Sequence, residues 1–299
     1  KIFSFAGQLF LARLLVPSDF GIYVVIVFIV NFFGLFSDLG LSFAIIQKKE
    51  EPTHKELSGV FTLKIFLASG LILLLWISAP LVKLVYPSLI GSNVLMIQVF
   101  SLTLLFSALR SVPVATLERK LKYGRISMLD IIGVIVYYIV ALPLALTGFG
   151  VWSFIIASLI KEIAETLFLF IINPFLPSFN FKISNIKGMI RFGIFIQGNS
   201  LVTFFISSIT PVIGGRLVGL HAVGLVDFAD NLTSLPGIIA MNFGRVAFSG
   251  YSRIQKEKKL LFRSIDKSIS LLSILLYFFP VIIFAFGEEL ISTIYTEKW

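Results

Sequence analysis

The sequence predicts an all-α integral membrane protein: a polytopic bundle of two six-helix lobes arranged as parallel repeats, of which about nine helices lie in this chain. Three observations lead there. Apolar residues make up 57% of the 299 residues and charged ones only 14%, against about 45–50% and about 25% in an ordinary soluble domain. Apolar runs of roughly 20 residues recur along the chain, each long enough at about 1.5 Å per helical residue to cross about 30 Å of hydrocarbon. A polar corner, "RLLVPSDFGIY" at 13–23, returns in blurred form as "RLVGLHAVGLV" at 216–226. The short alternating strands of an outer-membrane barrel are absent. Cysteine is absent too, which excludes disulfides and thiol chemistry.

Taken in order, the apolar runs place helices at about 1–15, 20–46, 57–79, 94–117, 126–146, 151–172, 188–213, 221–250 and 262–286. The first is too short for a complete span and is expected to be the tail of a truncated helix, since no small-residue cleavage site follows it as in a signal peptide. Charged or Gly/Pro-containing links separate the rest. One set of links carries fifteen Lys and Arg residues, among them Lys48, Lys49, Arg119, Lys120, Lys122, Arg125, Lys187, Arg191, Arg253 and Lys256; the other carries four, Arg13, Lys83, Arg216 and Lys298. Cytoplasmic loops hold the excess of positive charge, so "LVPSDFG" and "TGFG" (147–150) are expected to face outward. The net charge of +9 is therefore a topology signal. No basic face lies outside the loops beside the membrane, which argues against a nucleic-acid partner and leaves anionic lipid headgroups as the other use of these charges.

The repeat sets the domain organisation. Arg13 pairs with Arg216 and Gly21 with Gly224 at an offset of 203; "IQK" at 46–48 pairs with "IQK" at 254–256; "LVKLVY" at 81–86 pairs with "LISTIY" at 290–295. Six helices separate corresponding points, so both copies run the same way through the membrane. That is the parallel-repeat arrangement of transporters whose site lies between two halves. Residues 1–187 are expected to form the first lobe, helices one to six with helix one incomplete. Residues 188–299 are expected to begin the second with helices seven to nine, about three more helices following.

Four stretches, "ARLLVPSDFGIYVV" (12–25), "SDLGL" (37–41), "VGLVDFADNLTSLP" (223–236) and "YSRIQKEKK" (251–259), resemble the polysaccharide and lipopolysaccharide exporters. These are the oligosaccharide flippases of the multidrug/oligosaccharidyl-lipid/polysaccharide exporter superfamily. The chain departs from the family at Val226 and Asp230, where aromatic residues are frequent. The resemblance implies a two-lobed bundle in the bacterial or archaeal cytoplasmic membrane. It implies that undecaprenyl-diphosphate-linked oligosaccharide moves to the outer leaflet by alternating access, with polysaccharide-assembly proteins as further partners and no cofactor.

A lipid diphosphate needs cationic groups in a wet cavity, because neither phosphate nor sugar enters hydrocarbon unsolvated. Lys64, Arg110, Lys161 and Arg245 are the intramembrane cations and the candidate substrate-binding residues. Snorkelling to the headgroups is the alternative use of Lys64 and Arg245. In "KEIAE" (161–165), Lys161 and Glu165 are spaced to pair along one helix face, while Glu162 points elsewhere and is left to take up a proton. Glu162 and Glu165, with Asp38, Asp227 and Asp230, are the coupling-ion candidates. At least two of Arg110, Lys161, Glu162 and Glu165 are expected to face a cavity between the lobes.

Enzymatic readings find little purchase. His54 and His221 are the only histidines, and neither has the neighbours of a metal site. No Gly-rich loop followed by Lys-Ser/Thr occurs, which argues against ATP use. A membrane-embedded glycosyltransferase or polymerase would carry long outer loops with acidic or arginine clusters, and these outer loops are short. Within the transporter class the alternatives are a drug/cation antiporter and a peptidoglycan-precursor flippase. An acidic site confined to one lobe would favour the antiporter; several cavity cations favour an anionic lipid.

Overall fold

The computed structural model describes residues 2–86, 92–175, 183–254, 257–294 and 299. Its regular structure is helical: α1 (Ile2–Leu14), α2 (Pro17–Asp38), α3 (Leu41–Gln47), α4 (His54–Ser78), α5 (Val82–Val85), α6 (Ser92–Ser101), α7 (Thr103–Arg119), α8 (Tyr123–Leu146), α9 (Trp152–Ile172), α10 (Ile183–Ser207), α11 (Gly215–Leu217), α12 (Leu220–Ile254) and α13 (Lys258–Ile294). A helix occupies each of the nine expected stretches.

Local chemistry explains the corners. At the first, Pro17 opens α2 where its missing N–H costs nothing, and the Asp19 carboxylate accepts a hydrogen bond from the Val16 N–H at 3.3 Å. The second copy has neither residue and turns on Gly219 instead, at φ +102°, between α11 and α12. The capping box at α4 pairs Thr53 with Glu56, and Lys48 reaches back to the same carboxylate at 2.7 Å. Between α8 and α9, Gly148 at φ +83° lets the Phe149 N–H bond the Leu144 carbonyl and end α8.

Two expected helices are each divided. The stretch 20–46 breaks at Leu39 and Gly40, which take φ +47° and +67°. Gly40 sits against the backbone of Gly193 on α10, so closely that a Cβ on either would overlap the other's chain. The stretch 94–117 tightens at Leu102, where the Ser101 and Thr103 hydroxyls donate to the Gln98 and Phe100 carbonyls at 2.6 Å. Near the end of the seventh stretch a π-helical turn, Thr210–Gly214, carries Pro211.

Among the described residues six stretches are long and apolar enough to cross a membrane: Pro17–Asp38, His54–Leu81, Asn93–Arg119, Tyr123–Leu146, Ile186–Ile206 and Lys258–Glu289. As long as the shortest of these, α9 carries Lys161, Glu162 and Glu165 at its middle. Large aromatic side chains stand outward, Phe195 77% and Phe284 95% exposed. Water would not tolerate so much apolar surface, and lipid solvates it. This is a multi-pass helical membrane protein.

The chain divides into two compact units, Lys1–Gly224 and Leu225–Trp299. In the first, α8 packs along α9, and α7 lies against α4, α3 and α9. One apolar cluster there joins Val25, Ile26, Ile29, Leu75, Ile97, Phe100, Ile155 and Leu220; another joins Leu41, Ile45, Val60, Phe61, Val112 and Ile186. The second unit is formed by the rest of α12 and by α13. Lys256 and Tyr295, which end the second and third repeat anchors, lie outside the described residues.

Candidate functional site

A cavity of about 1050 Å³ opens inside the first unit. Its wall is made by faces of α1, α2, α4, α7, α8, α9 and α10, with Ser42 of α3 and Phe100 of α6. On α9 the lining residues Ser158, Lys161, Glu162 and Glu165 follow a helical period, and Ile160, Leu167 and Ile171 stand exposed on other faces. That segregation puts the charged stripe inside the unit and the aliphatic one toward lipid.

Arg110 on α7 forks across this stripe. Its Nη2 donates to Glu162 Oε2 at 2.8 Å, and its Nη1 contacts Glu165 Oε2. Lys161 approaches the other Glu165 oxygen at 3.9 Å. The expected Lys161–Glu165 pair is therefore the long member of a four-residue network. Glu162, expected to stand apart, takes its partner from a helix 52 residues earlier. Glu165 is nearly buried, its side chain 5% exposed, whereas Arg110 and Glu162 are 20% and 17% exposed toward the cavity. Gly133 on α8 makes room for it: a Cβ there would fall on the Glu165 carboxyl group.

Lys64, buried, and Asp38, half-buried, form a second ion pair in the cavity wall. The Lys64 ammonium donates to Asp38 Oδ1 and to Ser42 Oγ, the latter at 2.9 Å, and the Ser42 hydroxyl donates to Asp38 at 2.6 Å. Lys64 is 2% exposed. Asp38 ends α2 and Ser42 lies in the first turn of α3, so the ammonium straps α4 to both sides of the Leu39–Gly40 break. Gln197 of α10 donates to the Leu35 carbonyl beside it at 2.9 Å.

The other candidates lie elsewhere. Asp227 and Asp230 belong to the second unit, where Asn231 donates to Asp227 Oδ2 at 3.1 Å. Arg245 lies within α12, and its side chain is outside the described residues. His54 stands near Ser58 Oγ at 3.4 Å, and among the described residues no His/Cys/Asp/Glu cluster could hold a metal ion.

Several lining residues escaped sequence reasoning. Tyr23 meets Ser158 at 3.1 Å, hydroxyl to hydroxyl, and the Tyr138 hydroxyl donates to the Ser4 carbonyl at 2.6 Å. Asn31, Ser107, Ser111, Tyr137 and Ser200 also line the space. A tyrosine in mid-span was the available signal, since its hydroxyl needs a polar partner that lipid cannot supply. A clasp at the basic-loop end was also missed: the Arg119 guanidinium donates to the carbonyls of Ile45, Ile46, Lys48 and Glu50 at 2.6–3.0 Å, tying the end of α7 to the end of α3.

The lining holds three cations, Lys64, Arg110 and Lys161, against five carboxylates, Asp38, Glu118, Asp130, Glu162 and Glu165. Each of the three cations contacts a carboxylate. A large polar chamber inside helices clad in apolar side chains defines a class: polytopic membrane proteins with a hydrophilic interior. The chain belongs to the polysaccharide biosynthesis protein family, which it matches over residues 10–299.

Curated relatives agree with that placement. The chain is 22% identical to the succinoglycan biosynthesis transport protein ExoT of Rhizobium meliloti over 97% of its length, and 22% identical to the teichuronic acid biosynthesis protein TuaB of Bacillus subtilis over 88%. It is 21% identical to the lipopolysaccharide biosynthesis protein WzxC of Escherichia coli over 97%. It spans 58%, 54% and 59% of the lengths of those three relatives. No solved structure matches it.

Proposed function

We propose that the protein is a flippase of the cytoplasmic membrane, carrying undecaprenyl-diphosphate-linked oligosaccharide from the inner to the outer leaflet for surface polysaccharide assembly, without enzymatic chemistry. In this reading residues 1–187 form one lobe and residues 188–299 contribute to a second of the same orientation. The two rock about a site near mid-membrane. The observation that carries the reading is the chamber of about 1050 Å³, polar and charged within, in a chain of this family. Its volume accommodates a diphosphate and a few sugar rings, while the polyprenyl tail stays in lipid.

The charge balance dictates how an anion would be held. Arg110 is neutralised by Glu162 and Glu165, so it can grip a diphosphate only by loosening one of them. A proton on Glu162 removes one of the two negative charges that hold the guanidinium and frees Nη2 for a phosphate oxygen. Entry of the anion and uptake of the proton then favour one another, which couples translocation to the proton gradient. Lys161, 35% exposed and on the same face, adds the second positive charge. Lys64, strapped to Asp38 and Ser42, holds the wall.

The excess of carboxylates favours one other reading, a drug/cation antiporter. A single gene separates them. In the full-length protein, Arg110→Gln keeps hydrogen bonding but removes charge, and Arg110→Lys keeps charge but loses the fork. Flipping of an anionic lipid predicts that Gln impairs surface polysaccharide more than Lys does, with the lipid-linked intermediate accumulating in the inner leaflet. Wild-type export from Arg110→Gln at equal protein level refutes the role of Arg110. A knockout that leaves surface glycans intact while altering drug susceptibility replaces the flippase with the antiporter.

A further inference from the structure

The cavity is not symmetric along the membrane normal. On α7 its lining reaches Glu118, next to the last residue of the helix, and on α8 it begins at Ile126, in the first turn after the basic link at 119–125. At the opposite end it stops early. The lining on α8 ends at Tyr138, although the helix runs on to Leu146, and the lining on α9 starts at Ser158, although that helix starts at Trp152. About 12 Å of α8 beyond Tyr138 thus lies outside the chamber.

Two layers fill that end. The first is aromatic: Tyr23 stacks on Phe154 with ring centroids 4.8 Å apart, Phe20 meets Phe154 edge-on at 4.9 Å, and Tyr23 meets Phe100 edge-on at 5.9 Å. The second is a crossing of backbones beyond it, where the start of α2 meets the start of α12. A Cβ on Gly21 would overlap the Leu220 carbonyl and come within 3.2 Å of the Gly224 nitrogen; a Cβ on Gly224 would overlap the Pro17 carbonyl and come within 3.0 Å of the Gly21 nitrogen. Gly21 and Leu220 are both buried.

The pairing is reciprocal in a way the sequence repeat makes meaningful. Adding the repeat offset of 203 to Gly21 gives Gly224, and adding it to Pro17 gives Leu220. Each glycine therefore lies on the carbonyl that is the repeat-mate of the one its own mate lies on. Because each glycine makes room for the other helix's backbone, the two form one contact and neither side opens without the other. Two helices packed by chance share no such register.

We infer that the Gly21–Gly224 crossing is the outer gate of the cavity: closed here, and required to part before the chamber can open on the side opposite the basic loops. The inference rests on the parallel-lobe reading above. Glycine is needed on both sides because the carbonyls of Pro17 and Leu220 occupy the space of a side chain. Parting the helices uncovers the aromatic layer of Phe20, Tyr23 and Phe154, whose rings all belong to residues 1–187 and move together with that lobe.

These 299 residues hold no cysteine, so a reporter thiol needs no other change among them; any cysteine in the rest of the full-length protein is first replaced by serine. Ser107→Cys on the cavity wall would be labelled in intact cells, in the full-length protein, with a membrane-impermeant maleimide added from outside. Gly21→Leu and Gly224→Leu, which wedge the crossing, are expected to raise the labelling rate about tenfold or more, as a shift in the open population would. Gly124→Leu, where a side chain enters open space, is expected to leave it unchanged. Reciprocity adds a sharper demand: Gly21→Ala and Gly224→Ala should raise the rate by similar factors, and the double variant by less than their product. Should the leucine variants fail to fold, the alanine pair decides by the same ratio. Wild-type labelling from folded Gly21 and Gly224 variants overturns the gate; independent, multiplicative effects overturn the single shared contact. No lipid-linked sugar enters the measurement. A gate that labels as expected in a protein that does not export polysaccharide would retire the flippase reading and leave the gate standing.

Discussion

Removing Arg110 should cost stability in a way that depends on Glu165. Breaking a buried ion pair from one side costs about 3–5 kcal/mol, because the abandoned charge stays in a poor solvent. Here the carboxylate left behind on Glu165 is 5% exposed, but Arg110 and Glu162 face the cavity at 20% and 17%, and water there screens part of the penalty. Arg110→Gln should therefore cost about 2 kcal/mol. Glu165→Gln leaves Arg110 its bond to Glu162 and should cost about 1 kcal/mol, one charged hydrogen bond weakened to a neutral one. In the double variant no charge is abandoned at this contact, so its cost should fall short of the sum of the single costs by about 1 kcal/mol. The assay is thermal unfolding of the detergent-solubilised full-length protein, followed by loss of the monodisperse peak. Arg110→Gln is expected to lower Tm by about 5 °C, and the double variant to melt at about the same temperature rather than lower still. Costs that add to within about 0.3 kcal/mol would mean that Arg110 and Glu165 do not meet, and the network argued above would be wrong.

Two further outcomes follow from the packing. Gly133→Ala places a methyl group where the Glu165 carboxyl lies and should lower Tm by several degrees as the network is displaced, whereas Gly70→Ala, with open space around it, should not. Arg119→Gln abandons the carbonyls of Ile45, Ile46, Lys48 and Glu50 and should cost about 1–3 kcal/mol; proteolysis in inverted vesicles should then cut the loop at 48–53 faster than in the wild type, and an unchanged rate would remove the clasp.

Much of the helical organisation could be read from residues alone. Apolar runs of one membrane thickness leave the backbone no alternative to helix, because lipid offers no partner for its N–H and C=O groups. The corner at 13–23 was readable for a similar reason: Pro17 and Asp19 act on their immediate neighbours. The charged stripe on α9 was readable as unusual, and the spacing of Lys161 and Glu165 as a pair. Which of its members would matter was not readable, since the strongest partner, Arg110, comes from another helix and the geometry closes at 2.8 Å only after α7 and α9 pack.

The same division holds at the gate and at the α2–α3 break. Sequence periodicity supplied the offset of 203, a property of the chain as text. Only folding brought Gly21 onto Gly224, because a contact between residues 203 apart exists only once both helices are packed. "SDLGL" at 37–41 reads as the continuation of an apolar helix. That Leu39 and Gly40 turn left-handed there depends on Gly193 pressing from α10 and on Lys64 tying Asp38 to Ser42. Helix, span and orientation arise from local hydrogen bonding and from the transfer of side chains into lipid, which each segment satisfies alone. Breaks, clasps and charge networks arise from contacts 20 to 200 residues apart, whose energies exist only in the packed bundle.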